Sequence, residues 1–169
     1  GGEPTFQQEF LRSLTNEFFQ RGISIWMETC GYFNWNSTKD ILFKIDHLLF
    51  DIKCMDEDLH RQVTGVSNQL ILENCCKAAL EGIPLTIRIP LIKEVNCNPE
   101  NLIATAQFVT NNVPGGRIEL LPYHDFGKEK YQAIGIWDHF KTFTTPTKYE
   151  IAIAKQLLID HGARIVEYK

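Results

Sequence analysis

Polar side chains follow four successive apolar runs in this sequence, and they carry both signs of charge. Because the carboxyl ends of parallel strands lie at one edge of a sheet, where α/β folds bind their ligands, these side chains predict a single binding site. One polar strand end alone is ordinary, since strands end where the chain meets water. The side chains are Glu28 and Thr29 after the first run, Asp51 and Lys53 after the second, Arg88 after the third, and His124 after the fourth.

The residues Gly1, Gly2, Glu3 and Pro4 stand where a fifth strand end would lie, directly before a helical run. Two glycines let the backbone approach a ligand closely, and the glutamate supplies an acceptor for an amine or a hydroxyl group. The proline stiffens the turn into the helix. The alternative is that the two glycines are the remnant of a cleaved tag.

Each candidate side chain also has a structural interpretation. Asp51 and Lys53 lie two residues apart, so on a strand they share a face and could pair with each other or with Arg88. His124 could be a core histidine bonded to a carbonyl, although its position after Pro-Tyr at a strand end favours a ligand contact. The pair at 28–29 could form a helix cap or a turn.

Other residues of chemical interest are predicted to be structural. The histidines show no metal-ligand spacing, and the adjacent Cys75 and Cys76 fall within a helical run, where packing is their predicted role. The sequence has no dinucleotide-binding glycine motif, phosphate-binding loop or nucleophile elbow. His60, His139 and His161 are predicted on the surface, Trp26 and Phe50 in the core, and Trp35 and Trp137 in loops.

Composition sets the class of protein. The 169 residues suffice for one domain, and 44% hydrophobic with 22% charged residues is ordinary for a globular chain. The formal charge of −4 argues against electrostatically driven nucleic-acid binding, and no apolar run is long enough to cross a membrane. Five scattered cysteines without a Cys-x-x-Cys pair suit the reducing cytoplasm and exclude a thiolate-held cluster built from this chain alone.

Short apolar runs alternate with helical patterns, which predicts an α/β fold of parallel βα units. We expect both faces of the sheet to be covered, because the runs are continuously apolar. Residues 125–148 form the longest irregular segment. The predicted strands are 23–27, 47–50, 84–87, 117–121 and 163–168, and the predicted helices are 5–20, 34–42, 56–63, 67–80, 99–110 and 149–161.

Six short motifs, with two further pairs, occur in an order that resembles one family. They are Gly-Gly-Glu-Pro-Thr-Phe-Gln at 1–7, Glu-Thr-Cys-Gly-Tyr at 28–32, Phe-Asp-Ile-Lys at 50–53, Thr-Gly-Val-Ser-Asn at 64–68, Ile-Arg-Ile-Pro-Leu-Ile at 87–92 and Leu-Leu-Pro-Tyr-His at 120–124, with Gly-Lys at 127–128 and Lys-Tyr at 130–131. Over nearly its whole length the chain resembles the glycyl-radical-enzyme activating enzymes of the radical S-adenosylmethionine superfamily, the pyruvate formate-lyase activating enzymes in particular.

The resemblance implies a partial (β/α)6 barrel that binds S-adenosylmethionine. A zwitterionic methionine with a sulfonium needs partners of both charges, held on rigid strand ends. Some family members also hold a monovalent cation at the equivalents of Glu28, Thr29 and Asp51, although Glu28 stands here where the family commonly has Asp. By this resemblance, Gly1, Gly2 and Glu3 contact the amino group, with Pro4 completing the motif. Glu28, Thr29, Asp51 and Lys53 are implied around the carboxylate and ribose. Arg88 and His124 are implied on the wall near the sulfonium and ribose.

The family's Cys-x-x-x-Cys-x-x-Cys loop, which ligates a 4Fe–4S cluster, has no equivalent in this sequence. We therefore expect the chain to be the C-terminal piece of an activase, with its cluster loop and first strand before residue 1. In the intact enzyme one electron from the cluster would cleave the sulfonium, and the 5′-deoxyadenosyl radical would take a hydrogen from a glycine of the partner enzyme. The piece alone is expected to be inactive.

The resemblance also implies partners. These are a glycyl radical enzyme as the protein substrate and an electron donor such as flavodoxin, in the cytoplasm of an anaerobically growing cell. A first strand without its outer neighbour would leave backbone groups unpaired, so we expect self-association at that edge.

Two other functions stay open on the residues alone. An α/β-barrel lyase or hydrolase could use Asp51, Lys53 and His124 for acid–base work, with Lys53 as a Schiff-base residue. A degenerate barrel that serves as a non-catalytic binding module is the second alternative.

Overall fold

The five strands of the sheet are all parallel, and each pairs with its neighbours in chain order. The computed structural model describes residues 2–125, 128–135 and 142–168. The α/β prediction is confirmed, including the short fifth strand. The strands are β1 (Trp26–Thr29), β2 (His47–Asp51), β3 (Leu85–Leu91), β4 (Arg117–Pro122) and β5 (Arg164–Ile165).

Four of the α-helices begin at residues whose side chains accept from free N–H groups of the first turn. Asn98 accepts a hydrogen bond from Asn101 N, directly before Pro99 at the first helical position. Asn34 caps the second α-helix by accepting from Ser37 N. The helices are a 3-10 turn (Pro4–Gln7), α1 (Gln8–Gln20), α2 (Trp35–Leu42), α3 (Glu57–Thr64), α4 (Gln69–Leu80), α5 (Pro99–Asn112), α6 (Lys128–Ala133) and α7 (Lys148–Asp160).

One face of the sheet forms the hydrophobic core. Alternate strand residues such as Met27, Leu48, Ile87 and Ile118 join residues of α1, α2, α4, α5 and α7 in a single buried cluster. Parallel strands that follow one another with right-handed crossovers place all their helices on the same side, so one face is covered by helices. Burial of this face supplies the main driving force for folding.

The opposite face carries polar and charged side chains, and we call it the polar face. It includes Glu28, His47, Asp51, Arg88 and Glu119, which alternate along their strands with core residues. The expectation that both faces are covered by apolar packing was therefore wrong. The runs read as continuously apolar because polar residues interrupt them mainly near their ends.

Differences from the predicted bounds of β1 and β3 bear on the site residues. β1 begins at Trp26, so Glu28 and Thr29 lie within the strand rather than after it. β3 continues through Arg88 to Leu91 and contains Pro90. A proline is tolerated at this position because it lacks an N–H only on the side toward β2, and β2 has already ended there. On the same side, the carbonyl of Pro90 accepts a hydrogen bond from Asn96 at 2.7 Å.

Three aromatic or histidine assignments were wrong. Trp26 is 53% exposed because the true start of β1 directs it to the polar face, where it stacks on His47 at 4.5 Å. His60 is buried, and its Nδ1 donates to the carbonyl of Val66 at 2.8 Å, which closes the turn after α3. Trp35 starts α2 and packs against the core. Phe50 and Cys75 are core residues, as predicted, while His139 and Trp137 lie outside the described residues.

The segment 125–148 is less irregular than predicted, since it contains α6. Within the described ranges, no helix is both long and apolar enough to span a bilayer.

Gly31 tests how tightly the turn after β1 packs on the core. Its φ of +76° is unfavourable for any residue with a Cβ, and an added Cβ would lie 2.2 Å from the Phe50 ring. We expect Gly31→Ala to lower the free energy of unfolding by about 3 kcal/mol, through backbone strain and overpacking together. Gly22→Ala is the matched control, because φ is +65° there but nothing lies within 4 Å; it should cost only about 1 kcal/mol in urea denaturation. Equal losses for the two variants would contradict this account.

Candidate functional site

The candidate site lies on the polar face, where three neighbouring strands bring charged residues into register. Asp51, the last residue of β2, pairs with Arg88 of β3, and Arg88 pairs with Glu119 of β4. Glu28 of β1 reaches the same guanidinium across β2. Residues far apart in the sequence are thus brought together by strand register.

Arg88 is held between two carboxylates. Its Nη1 lies 2.8 Å from Glu28 Oε1 and its Nε lies 3.2 Å from Glu119 Oε2, although the second contact is out of line for a hydrogen bond. The Arg88 side chain is only 17% exposed, and Glu119 is nearly buried while Glu28 is largely exposed. Burial of a guanidinium is tolerable because acids flank it.

Asp51 is the least satisfied carboxylate of the site. Its Oδ2 accepts from Lys53 Nζ at 2.5 Å, whereas its buried Oδ1 has no hydrogen-bond partner within the described residues. Burial raises the pKa of Asp51, and the charge and hydrogen bond of Lys53 only partly offset that rise. A buried acceptor without a donor is costly, so this atom is suited to a donor from a ligand.

Glu3 fastens the start of the chain to the end of β1. Its Oε1 accepts from the hydroxyls of Thr5 and Thr29, each at 2.7 Å, and its Oε2 accepts from Cys30 N at 2.7 Å. Burial alone would raise the pKa of Glu3, but these hydrogen bonds outweigh burial and lower it. Four hydrogen bonds, counting one from Thr5 N, leave Glu3 little accepting capacity.

The hydroxyl of Thr29 is likewise hydrogen-bonded within the chain, both as donor and as acceptor. Thr29 is buried, donates its hydroxyl hydrogen to Glu3 and accepts from Gly31 N at 3.1 Å. It therefore positions the loop after β1. Gly2 has a positive φ of +107° with open space where a side chain would lie, and Pro4 starts the 3-10 turn.

Three buried asparagines fix the loop that follows Asp51. Asn96 donates to the carbonyls of Lys53 and Pro90, both at 2.7 Å. Asn68 donates to the carbonyls of residues 54 and 55, and Asn101 accepts from the N–H of residue 55 at 2.8 Å. The backbone that carries Lys53 is thus tied to the start of α4 and the loop before α5.

His124 is exposed and lies two residues beyond β4, at the same end of the sheet as Asp51 and Lys53. Gly1 lies outside the described residues. Nowhere in the described part of the chain do three His, Cys, Asp or Glu side chains come together as metal ligands would.

The sequence analysis missed Glu119 and the three asparagines. Glu119 sits inside an apolar strand run, and a charge at such a position is a usable signal of a paired or functional group. The asparagines gave no comparable signal, because an asparagine pinning a loop and one capping a helix look alike in sequence.

Comparisons with known proteins find activating enzymes that are similar to this chain. No family model matches the chain. The (2S)-3-sulfopropanediol dehydratase activating enzyme of Klebsiella oxytoca is 37% identical over 139 residues, which cover 80% of this chain and 44% of the relative. The pyruvate formate-lyase-activating enzyme of Streptococcus mutans is 32% identical and covers 100% of this chain and 66% of its own length.

A solved structure matches the whole fold. The crystal structure of a domain of pyruvate-formate lyase-activating enzyme from Bacteroides vulgatus superposes with a TM-score of 0.82 at 30% identity, over 100% of this chain and 96% of that domain. The chain spans 44% of the length of the first of these curated relatives and 66% of the second. Its sheet is a partial radical S-adenosylmethionine barrel, and the chain belongs to the glycyl radical enzyme activating enzymes of that superfamily.

Proposed function

We propose that the polar face binds S-adenosylmethionine in an activase that generates a glycyl radical on a partner enzyme. The observation that carries this proposal is the buried, unpartnered Oδ1 of Asp51 at a strand end. Lys53 and Arg88 beside it supply cations, so the site offers both charge signs to one small ligand. A ligand with an ammonium, a carboxylate and ribose hydroxyls matches those needs.

The residues divide into ligand contacts and supports. Asp51 accepts from a ligand hydroxyl or ammonium, and Lys53 donates to a ligand oxygen. Glu28 is exposed enough to turn toward the ligand, and Arg88 and His124 line the wall. Gly1 and Gly2 bring backbone close to the ligand, with Glu3, Pro4 and Thr29 holding that backbone in place.

When bound and reduced by one electron, S-adenosylmethionine would release methionine and supply the 5′-deoxyadenosyl radical that takes a hydrogen atom from a glycine of the partner enzyme. The 4Fe–4S cluster of the superfamily does not fit the cysteines described. Cys54 and Cys75 are buried in separate parts of the fold, and burial raises the pKa of both thiols, which disfavours the thiolates that iron needs. We therefore assign the cluster to protein outside this sequence.

The wider activity follows the family and is part of the same proposal. The protein substrate is a glycyl radical enzyme, the electron donor is a flavodoxin-like protein, and this chain alone is inactive. Self-association through the outer edge of β1, and a monovalent cation near Glu28, Thr29 and Asp51, stay proposals as well.

The acid–base alternative is less well supported. Schiff-base chemistry needs a neutral amine at Lys53, whereas its ammonium is ion-paired with Asp51.

Replacement of Lys53 tests the proposed site. We expect Lys53→Ala to weaken S-adenosylmethionine binding by about 2 kcal/mol, roughly thirtyfold in Kd, because a hydrogen bond to a charged group is lost. Isothermal titration of the ligand into the chain measures the effect. Lys39→Ala, an exposed lysine on α2, is the control and should bind as the unsubstituted chain does. No binding by the unsubstituted chain, or equal affinity after Lys53→Ala, would contradict the proposal.

Replacement of Asp51 separates stability from binding. Because its folded pKa is raised, Asp51 favours folding most below its ordinary value of 3.8, and that contribution is lost as the pH rises through the folded pKa. Asp51→Asn resembles the neutral acid. It should therefore raise the melting temperature at pH 7, by an amount that shrinks as the pH falls toward 4, while it weakens S-adenosylmethionine binding about tenfold.

The control for this prediction is Asp58→Asn, an exposed aspartate in the first turn of α3. It should leave the affinity for S-adenosylmethionine unchanged. A lower melting temperature for Asp51→Asn at pH 7 would show that the Lys53 pair outweighs burial, contrary to this account.

A further inference from the structure

Glu119 is the second anion on Arg88, and no part of the proposed function uses it. Its side chain is only 9% exposed, against 60% for Glu28. A carboxylate buried that deeply needs compensation, and Arg88 provides one part of it.

The rest of that compensation comes from the residues after β5. The N–H of Tyr168 donates to Glu119 Oε1 at 3.0 Å. Two more hydrogen bonds hold this segment. Val166 N donates to the carbonyl of Ile118 at 2.9 Å and so continues the pairing of β5 with β4, and the hydroxyls of Tyr168 and Thr86 lie 2.9 Å apart on the polar face. Trp26 packs edge-on against the Tyr168 ring at 5.5 Å. Residues 166–168 therefore cover Glu119 and fix its carboxylate.

We propose that Glu119, held by the backbone of Tyr168, is a positioning residue that sets Arg88 in its binding orientation for S-adenosylmethionine. This inference rests on the proposed function of the polar face. Arginine loses much side-chain freedom when it is fixed, so fixing it before the ligand arrives lowers the cost of binding. Glu28 cannot do this work, because an exposed glutamate is itself mobile and is free to exchange its partner for the ligand.

A double-mutant cycle tests the coupling between the two residues. Glu119→Gln keeps an acceptor for Tyr168 N–H but removes the charge next to Arg88. We expect it to raise the Kd for S-adenosylmethionine about tenfold when Arg88 is present, and less than twofold in the Arg88→Gln background. A merely structural role would cost the same in both backgrounds, and that result, or no loss of affinity at all, would overturn the proposal. Glu73→Gln, in an exposed ion pair on α4, is the control and should leave the Kd unchanged.

A second measurement needs no ligand. In spectra of the chain labelled with ¹⁵N-arginine, the Arg88 Nε–H resonance is identified by its absence in Arg88→Gln. We expect that resonance to shift and broaden in Glu119→Gln and in Tyr168→Pro, which lacks the N–H donor, but to persist in Glu28→Gln. An unchanged resonance in Glu119→Gln and Tyr168→Pro would overturn the positioning role. Absence of S-adenosylmethionine binding by the unsubstituted chain would instead overturn the proposed function and leave this test in force.

Discussion

The polar face depends on one electrostatic constraint, which is that the carboxylates of Glu28 and Glu119 share the guanidinium of Arg88, with Asp51 in register beside it. Strand register aligns Asp51, Arg88 and Glu119 in a single row, and Glu28 reaches that row from the edge strand. Without the guanidinium, the carboxylates would repel one another in a partly buried setting where water screens poorly. Arg88 thus makes it possible for the barrel wall to carry acids at all, and a wall with acids and cations side by side can bind a zwitterion.

The loops at the strand ends are fixed by side chains that never need to touch a ligand. Asn96 and its two companion asparagines tie down the backbone of Lys53 and the residues after it, and Glu3 ties the Gly-Gly-Glu-Pro segment to Thr29 and Cys30. The contacts with Lys53 and Cys30 satisfy backbone groups that regular structure leaves open, and the contact between Glu3 and Thr29 joins two side chains. Contacts of this kind make the loops rigid, so ligand binding requires little further loss of conformational entropy.

The sequence was sufficient for the order of the five strands and of six α-helices, because that order follows from local periodicity; α6 was missed, and the candidate site stays a prediction from short motifs. The sequence was insufficient wherever the deciding contact is distant. The third strand was predicted to end at Ile87, yet β3 continues through Pro90 because β2 has already ended beside it. Trp26 was predicted in the core. The face that it occupies depends on the residue at which β1 begins, because a shift of one residue moves every side chain to the opposite face of the sheet. Glu119 could be judged only after its register with Arg88 was known.

The pKa of Glu3 is lowered and that of Asp51 is raised, and this difference indicates different roles for the two carboxylates. Glu3 is saturated with hydrogen bonds that lower its pKa, so its ionised form stabilises the fold above its ordinary value of 4.5 and that gain is lost as the pH falls through the lowered value. Asp51 is buried with one oxygen unpartnered and a raised pKa, so its ionised form costs stability. A fold that kept Asp51 only for itself would gain by neutralising it. Under the proposed function, a donor that arrives with the ligand would satisfy the acid that the protein holds at a cost, whereas Glu3 already has its donors within the chain.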